Sequence, residues 1–228
     1  VIVGLLHPGE MGAAVGARVD ADVIWASQGR SDATRARGAR FRDVVRLDAL
    51  LLEANVILSI CPPHAALDVA RACAGFEGIY VDANAISPMH AQEIGELQSR
   101  FVDASIIGGP GAPLLCLTGA EAADVASLFS LETRLVPNAS ALKMAYAAWS
   151  KGTAALLLAI RDVAQSFGVE EDWRALVPEL LDRLVDAERS AASKGWRWIG
   201  ELEEIADTFA AAGRPDGFHR AAAEVYRA

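Results

Sequence analysis

Cysteine is scarce: three residues in a chain of 228, an odd number and too few for a disulfide framework. Cys61, Cys73 and Cys116 lie in apolar settings and read as reduced thiols of a cytoplasmic protein. Positive charge is short as well. Lys and Arg total 21 against 30 Asp and Glu, and the net charge of −9 argues against a general nucleic-acid binder. No apolar run reaches the ~20 residues of a membrane span; Lys143, Lys151 and Arg161 break the longest candidate. His7, His64, His90 and His219 are scattered, and no His/Cys cluster has metal-ligand spacing, so no metal is expected. There is no internal repeat and no low-complexity linker, and from an opening that already reads as strand no leader is expected. What is present is a chain rich in Ala, Val and Leu, long enough for one domain or two.

The most informative stretch comes first. Val1 to Leu6 is an apolar, β-branched run that reads as a buried strand. His7-Pro8-Gly9-Glu10-Met11-Gly12 follows, and small residues from Ala13 open a helix. Strand, glycine turn and helix together make the start of a dinucleotide-binding βαβ unit. Gly9 lets a phosphate approach the backbone, Gly12 lets the helix pack closely on the strand, and the exposed N–H groups with the helix dipole attract the anion. The common pattern is G-x-G-x-x-G, and His7 stands at its first glycine. A plain strand–turn–helix is the competing reading.

Val23 to Trp25 is the second strand. Past it, where an NAD-preferring site carries Asp or Glu, the chain has Ser27, Arg30 and Ser31. A cation and hydroxyl donors suit a 2′-phosphate, so NADP is expected over NAD. Alternatively Arg30 is a solvated loop charge and Asp32 a helix N-cap. Further strands are expected at Phe41–Val45, Val56–Ile60, Gly78–Asp82, Phe101–Ser105, Leu114–Leu117 and Arg134–Val136, with helices between them. Cys61-Pro62-Pro63 ends the Val56 strand where an open α/β sheet binds its ligand; Asn84 follows the next one at the same edge. His64 reads there as a surface turn residue. A glycine/proline loop, Ile106 to Pro113, is long enough to touch a substrate. The fold class is therefore α/β: a Rossmann-type, doubly wound, mostly parallel sheet over residues 1–138. Residues 139–228 read as helical: one long helix from Ser140 to Phe167 with Gly168 as its stop, then Asp172–Arg189, Ala191–Ala212 and Pro215–Tyr226. Trp173, Trp196 and Trp198 read as packing residues.

This layout resembles the β-hydroxyacid dehydrogenase superfamily, which includes 6-phosphogluconate and 3-hydroxyisobutyrate dehydrogenases. Gly4 to Gly12 is similar to its G-F-I-G-L-G-x-M-G signature. Asp82 to Pro88 resembles its D-x-S-T-x-x-P turn, and Phe101-Val102-Asp103-Ala104 with Gly108-Gly109 resembles its substrate loop. The resemblance places Lys143 on the family's catalytic lysine and implies cofactor contacts from His7, Pro8, Gly9, Glu10, Met11, Gly12, Ser27, Arg30, Ser31, Cys61, Pro62, Pro63 and Asn84. It implies substrate contacts from Ser105, Gly108, Gly109 and Trp149, and a homodimer through the long helix. Two positions depart from the family: Ile107 replaces the loop serine, and Tyr146 and Ala147 stand where its asparagine would be. The expected activity is an NADP-dependent oxidoreductase of small carbonyl or hydroxyl compounds, with Lys143 as general acid/base and Tyr146 one turn away on the same face. An imine reductase and a non-catalytic NADP-binding protein are the alternatives.

Overall fold

A computed structural model describes residues 1–227. The chain forms two compact units, residues 1–143 and the residues from Met144 onward, so the division falls inside a helix rather than ahead of it.

The first unit is organised by one eight-stranded sheet. Its strands are β1 (Ile2–Leu5), β2 (Asp22–Trp25), β3 (Arg42–Asp43), β4 (Val56–Ser59), β5 (Ile79–Asp82), β6 (Phe101–Ile107), β7 (Leu114–Thr118) and β8 (Thr133–Leu135). Between them lie α1 (Glu10–Gly16), α2 (Asp32–Gly38), α3 (Leu47–Glu53), α4 (Ala66–Ala72), α5 (Pro88–Glu96) and α6 (Ala122–Ala126). The spatial order is β3-β2-β1-β4-β5-β6-β7-β8. All neighbours run parallel except β6 and β7, which form an antiparallel hairpin. Helices cover both faces, which is why β4 and β5 are buried at every position and read as continuous apolar runs. Alternate residues feed two cores. Val3, Leu5, Leu58, Val81 and Val102 enter one; Ile24, Ile57, Tyr80, Ile86 and Ile94 enter the other. Strand order reverses direction between β1 and β4, the switch point at which such sheets bind ligands.

Two expectations here change. The strand expected from Phe41 to Val45 shrinks to the exposed edge pair Arg42–Asp43. Val45 takes a positive φ of 66°, where a β-branched residue cannot continue a ladder. The stretch from Pro88 to about Arg100 reads in sequence as one helix; it stops at Glu96, and Ser87 caps its start by accepting from His90 N.

The second unit is helical. The expected single helix from Ser140 to Phe167 is α7 (Ala139–Ala147), a π turn (Ala148–Gly152) and α8 (Thr153–Ser166). Gly168, at φ 69°, ends it as expected. A short α9 (Glu170–Leu176) leads to α10 (Leu181–Ala211) and α11 (Gly217–Val225). The break expected before Ala191 does not occur; α10 is one helix of 31 residues. Residues 190–193 contain neither Gly nor Pro, and the Ser193 hydroxyl donates to the Arg189 carbonyl at 2.9 Å within the continuous helix. Leu157, Leu158, Leu184 and Ala187 form this unit's core, with Trp173 packed against it. Among the described residues no helix is long and apolar enough to cross a membrane.

Candidate functional site

The glycine turn lies at the C-terminal end of β1, on the switch point. Gly9 N donates to the His7 carbonyl at 2.8 Å, closing the turn, and α1 begins at Glu10 with Gly9 as its N-cap. The two glycines serve different needs. A Cβ on Gly12 would sit 2.1 Å from the His7 carbonyl oxygen, so only glycine lets the helix approach the strand end. A Cβ on Gly9 would meet nothing within 4 Å. The space over Gly9 is open and lies at the N-terminal end of α1, where the first amides of a helix lack partners within it. Glu10 is exposed, Pro8 is buried, and Met11 packs into the first core. His7, the departure from the glycine pattern, is mostly buried. Burial first, and the Arg30 charge second, lower its imidazole from 6.5 to about 4, so it is neutral at neutral pH.

Arg30 is not a solvated loop charge. Its guanidinium folds back and donates to the Leu6 carbonyl at 3.3 Å, at the mouth of the turn; burial lowers its pKa. Ser31, and not Asp32, caps α2: its hydroxyl accepts from Thr34 N at 3.3 Å. Ser27 is buried, its N–H directed to the Asp43 carboxylate at 3.2 Å. A residue the sequence reading missed joins them. Arg37, on α2, donates from Nε to the Pro8 carbonyl at 3.2 Å. Three arginines of this segment thus gather by the turn, with Arg35 Nε on the Arg30 carbonyl at 3.2 Å. The available signal was the run of arginines, Arg35 and Arg37, on the short helix that follows Arg30.

At the end of β4, Cys61 N donates to Asn84 Oδ1 at 2.5 Å. Asn84 is buried, and its amide also reaches Asp82 at 2.8 Å and Ser59 at 3.3 Å. It therefore acts on the site through the Cys61 turn, with its own polar atoms engaged inside the protein. Burial, with the nearby Asp82 charge, pushes the Cys61 thiol up to about 12, so it is no nucleophile. Pro62 is exposed and Pro63 starts a tight helical turn, while His64 is exposed as expected of a surface turn residue.

Lys143 sits in α7 and donates from Nζ to the Ile106 carbonyl at 2.7 Å, near the C-terminal end of β6. β1, β4, β5 and β6 are parallel, so this is the same sheet edge that carries the glycine turn and Cys61. Gly108 and Gly109 are exposed in the hairpin loop beside it, Gly108 at φ 88°. Ser105 is a correction: it is fully buried and gives its hydroxyl to the Ala139 carbonyl at 2.9 Å, so it holds α7 and does not face a substrate. In the second unit, Tyr146 is 44 % exposed, three residues along α7 from Lys143. Trp149 lies in the π turn with the Arg183 guanidinium 5.4 Å over its ring. It lines a groove of about 400 Å³ with Ser150, Leu157, Arg183, Asp186 and Trp198, all of the helical unit.

Comparison with solved structures covers the whole chain. A conserved protein of unknown function, described as structurally similar to 3-hydroxyacid dehydrogenases, aligns over 100% of this chain and 97% of its own at a TM-score of 0.74 and 23% identity. The 3-hydroxyisobutyrate dehydrogenase of Mycobacterium tuberculosis, with L-serine, aligns over 99% and 92% at 0.70 and 16% identity. The chain has the fold of the 3-hydroxyacid dehydrogenases. A reductive aminase of Aspergillus terreus, in complex with NADPH and ethyl levulinate, shares it at a TM-score of 0.59 and 14% identity, over 99% and 92% of the two chains. Residues 164–228 match the family model described as a domain of unknown function, DUF1932. A curated relative, an uncharacterised 28.5 kDa protein in the 7S RNA 5′ region of Methanothermus fervidus, is 28% identical over 71% of this chain and 66% of its own length. This chain thus spans just under two thirds of that relative.

The residues present fit a dinucleotide. The space over Gly9 is clear, and two buried polar atoms at its rim, His7 Nδ1 and Arg30 Nε, have no hydrogen-bond partner in the protein. Buried polar groups without partners are uncommon, and these two mark the turn as a place where hydrogen-bonding capacity is left unused.

Proposed function

We propose that this protein is an NADP-dependent oxidoreductase acting on a small carbonyl or hydroxyl compound, with Lys143 as general acid/base. The observation that carries the reading is the Lys143 amine on the Ile106 carbonyl, at the sheet edge shared with the glycine turn. A bound reduced nicotinamide supplies a hydride to the substrate carbon. The Gly9–Gly12 turn binds the pyrophosphate through its backbone amides. Arg30 and Arg37 stand beside it as cations for the further phosphate that distinguishes NADP. Ile106 orients Lys143, which gives its proton to the substrate oxygen in reduction and takes it in oxidation. Gly108 and Gly109, without side chains, leave room for the substrate beside that amine.

A second reading, reduction of a C=N bond, is favoured by Tyr146, exposed on the Lys143 face, and by the fold shared with a reductive aminase. Tyr146 would then donate to the imine nitrogen, and Ile107 at the serine position leaves that role to it. Homodimerisation is part of the proposal. Leu156, Ile160, Val163 and Phe167 are exposed at three- and four-residue spacing on α8, an apolar stripe suited to a second copy.

The deciding experiment is NADPH consumption against a panel of small ketones, 3-oxo acids and imines, with Lys143→Ala as control. Turnover on ketones or oxo acids that falls at least about 100-fold in Lys143→Ala supports the first reading. Turnover only on imines supports the second. Tight NADPH binding with no turnover on any member overturns both and leaves a non-catalytic nucleotide-binding protein.

A further inference from the structure

Asp82 and Asp103 are register partners on the adjacent parallel strands β5 and β6, so their carboxylates project from the same face of the sheet. Both are largely buried, and each is committed to a different arm of the site. Asp103 Oδ2 accepts from Ser140 N at 2.9 Å and Oδ1 from the Ser140 hydroxyl at 2.6 Å. The Ala139 amide also bonds this carboxylate. The start of α7, the helix that carries Lys143, is thereby fixed to β6. Ser105 strengthens the same joint through the Ala139 carbonyl, and the Asn138 side chain accepts from Ala141 N at 2.6 Å. Asp82 accepts from Asn84 N at 3.0 Å and from Asn84 Nδ2 at 2.8 Å, and Asn84 in turn holds Cys61 N.

We propose that Asp103 is the positioning residue for Lys143, and that with its neighbour Asp82 it ties the lysine-bearing helix and the Cys61 turn to adjacent points of one sheet. Lys143 lies one helical turn beyond Ser140, and its amine meets Ile106, three residues beyond Asp103 on the same strand. Contact at both ends fixes the lysine's height along β6 and its rotation about the helix axis. A carboxylate at a helix N-terminus also favours the orphan amides there, whose partners would otherwise be water. Burial opposes the charge on both groups. Asp103 is raised, and Asp82 reaches about 7; Asp103, His90, Cys61 and Tyr80 are the titratable groups around Asp82. Neighbouring buried carboxylates of this kind are retained against their desolvation where their hydrogen bonds hold something in place.

This inference rests on the reading of Lys143 as the acid/base, but its test is independent of turnover. Acylation of Lys143 is followed by peptide mass spectrometry between about pH 6 and 10 in the full chain, with Lys151 and Lys194 as internal controls. Asp103→Asn and Ser140→Ala are expected to change the Lys143 rate by about three- to tenfold, the factor one such hydrogen bond carries, and to move its pH midpoint. Lys151 and Lys194 should keep their rates, and NADPH affinity should stay within about twofold in Ser140→Ala. Ser140→Thr, which retains the hydroxyl, should restore the wild-type profile. If Asp103→Asn does not fold, Ser140→Ala, which removes one oxygen, carries the test. A folded Ser140→Ala whose Lys143 reacts as in the wild type overturns the positioning role, whatever the turnover. Full turnover in Lys143→Ala would instead overturn the acid/base reading and leave the labelling result standing.

Discussion

Gly9 and Gly12 should separate in their effects when each is replaced by alanine. At Gly12 the new Cβ would lie 2.1 Å from the His7 carbonyl oxygen, more than ~1 Å inside ordinary contact. The obstacle is backbone, so relief requires the turn or α1 to move. Overpacking of this kind costs about 1–3 kcal/mol. For a chain of this length that lowers the melting temperature by about 2–4 °C per kcal/mol. At Gly9 the Cβ meets nothing within 4 Å, and φ is −66°, which alanine adopts without strain. Stability should stay level or rise by about 0.4–1 kcal/mol through the unfolded chain. The same methyl, however, stands in the space proposed for the pyrophosphate, so Gly9→Ala should lose at least about tenfold in NADPH affinity, roughly 1.4 kcal/mol. Thermal melting and calorimetric titration of the two variants supply all four values. Wild-type NADPH affinity in Gly9→Ala, or an unchanged melting temperature in Gly12→Ala, would refute the reasoning.

Arg30→Ala should weaken NADPH at least about tenfold while leaving NADH nearly unchanged; equal affinities of the wild type for the two nucleotides in a fluorescence titration would count against the 2′-phosphate role. The pH dependence of stability should show two opposed contributions. Asp82, raised from 3.8 to about 7, holds a proton in the folded state that the unfolded chain has released, so its contribution is full below about pH 4 and is lost as pH rises through 7. His7, lowered from 6.5 to about 4, contributes above 6.5 and loses that contribution as pH falls towards 4. Denaturant titrations of Asp82→Asn and His7→Gln should each remove one limb; a variant that leaves both limbs intact contradicts the assignment. Ile160→Glu should convert a dimer to a monomer in light scattering, since an isologous apolar interface brings the introduced charge against its symmetry mate. A wild type that is monomeric at working concentration, or a dimeric variant, removes α8 as the interface.

The alternation of strand and helix was legible because the first unit obeys local rules: apolar β-branched runs, glycine turns and a serine followed by proline, Ser87-Pro88, at a helix start. The glycine turn was readable for the same reason, and so was Lys143 once the resemblance supplied a role. What was not legible depends on partners far along the chain. Ser105 carries nothing local that says its hydroxyl belongs to Ala139, and Asn84 nothing that says it holds Cys61. The fold-back of Arg30 was not legible because its target, the Leu6 carbonyl, is supplied by a strand already passed. The π turn escaped because an inserted residue leaves helix propensity unchanged. The break assigned before Ala191 has no local breaker behind it: residues 190–193 carry no Gly or Pro, and α10 runs through them.

The single reversal between β6 and β7 sets the heading of everything that follows it. With β7 and β8 running against the other six strands, the chain leaves the sheet from β8 at the end level with Asp103 and Thr118, and α7 must climb beside β6. Its first full turn ends at the sheet edge that carries the glycine turn. Eight strands all pointing one way would release the chain at that edge and send the amine-bearing helix off in the opposite direction. A six-residue bend, from Gly108 to Pro113, thus acts as the switchback that lets a late segment of sequence reach a place the earliest segment prepared.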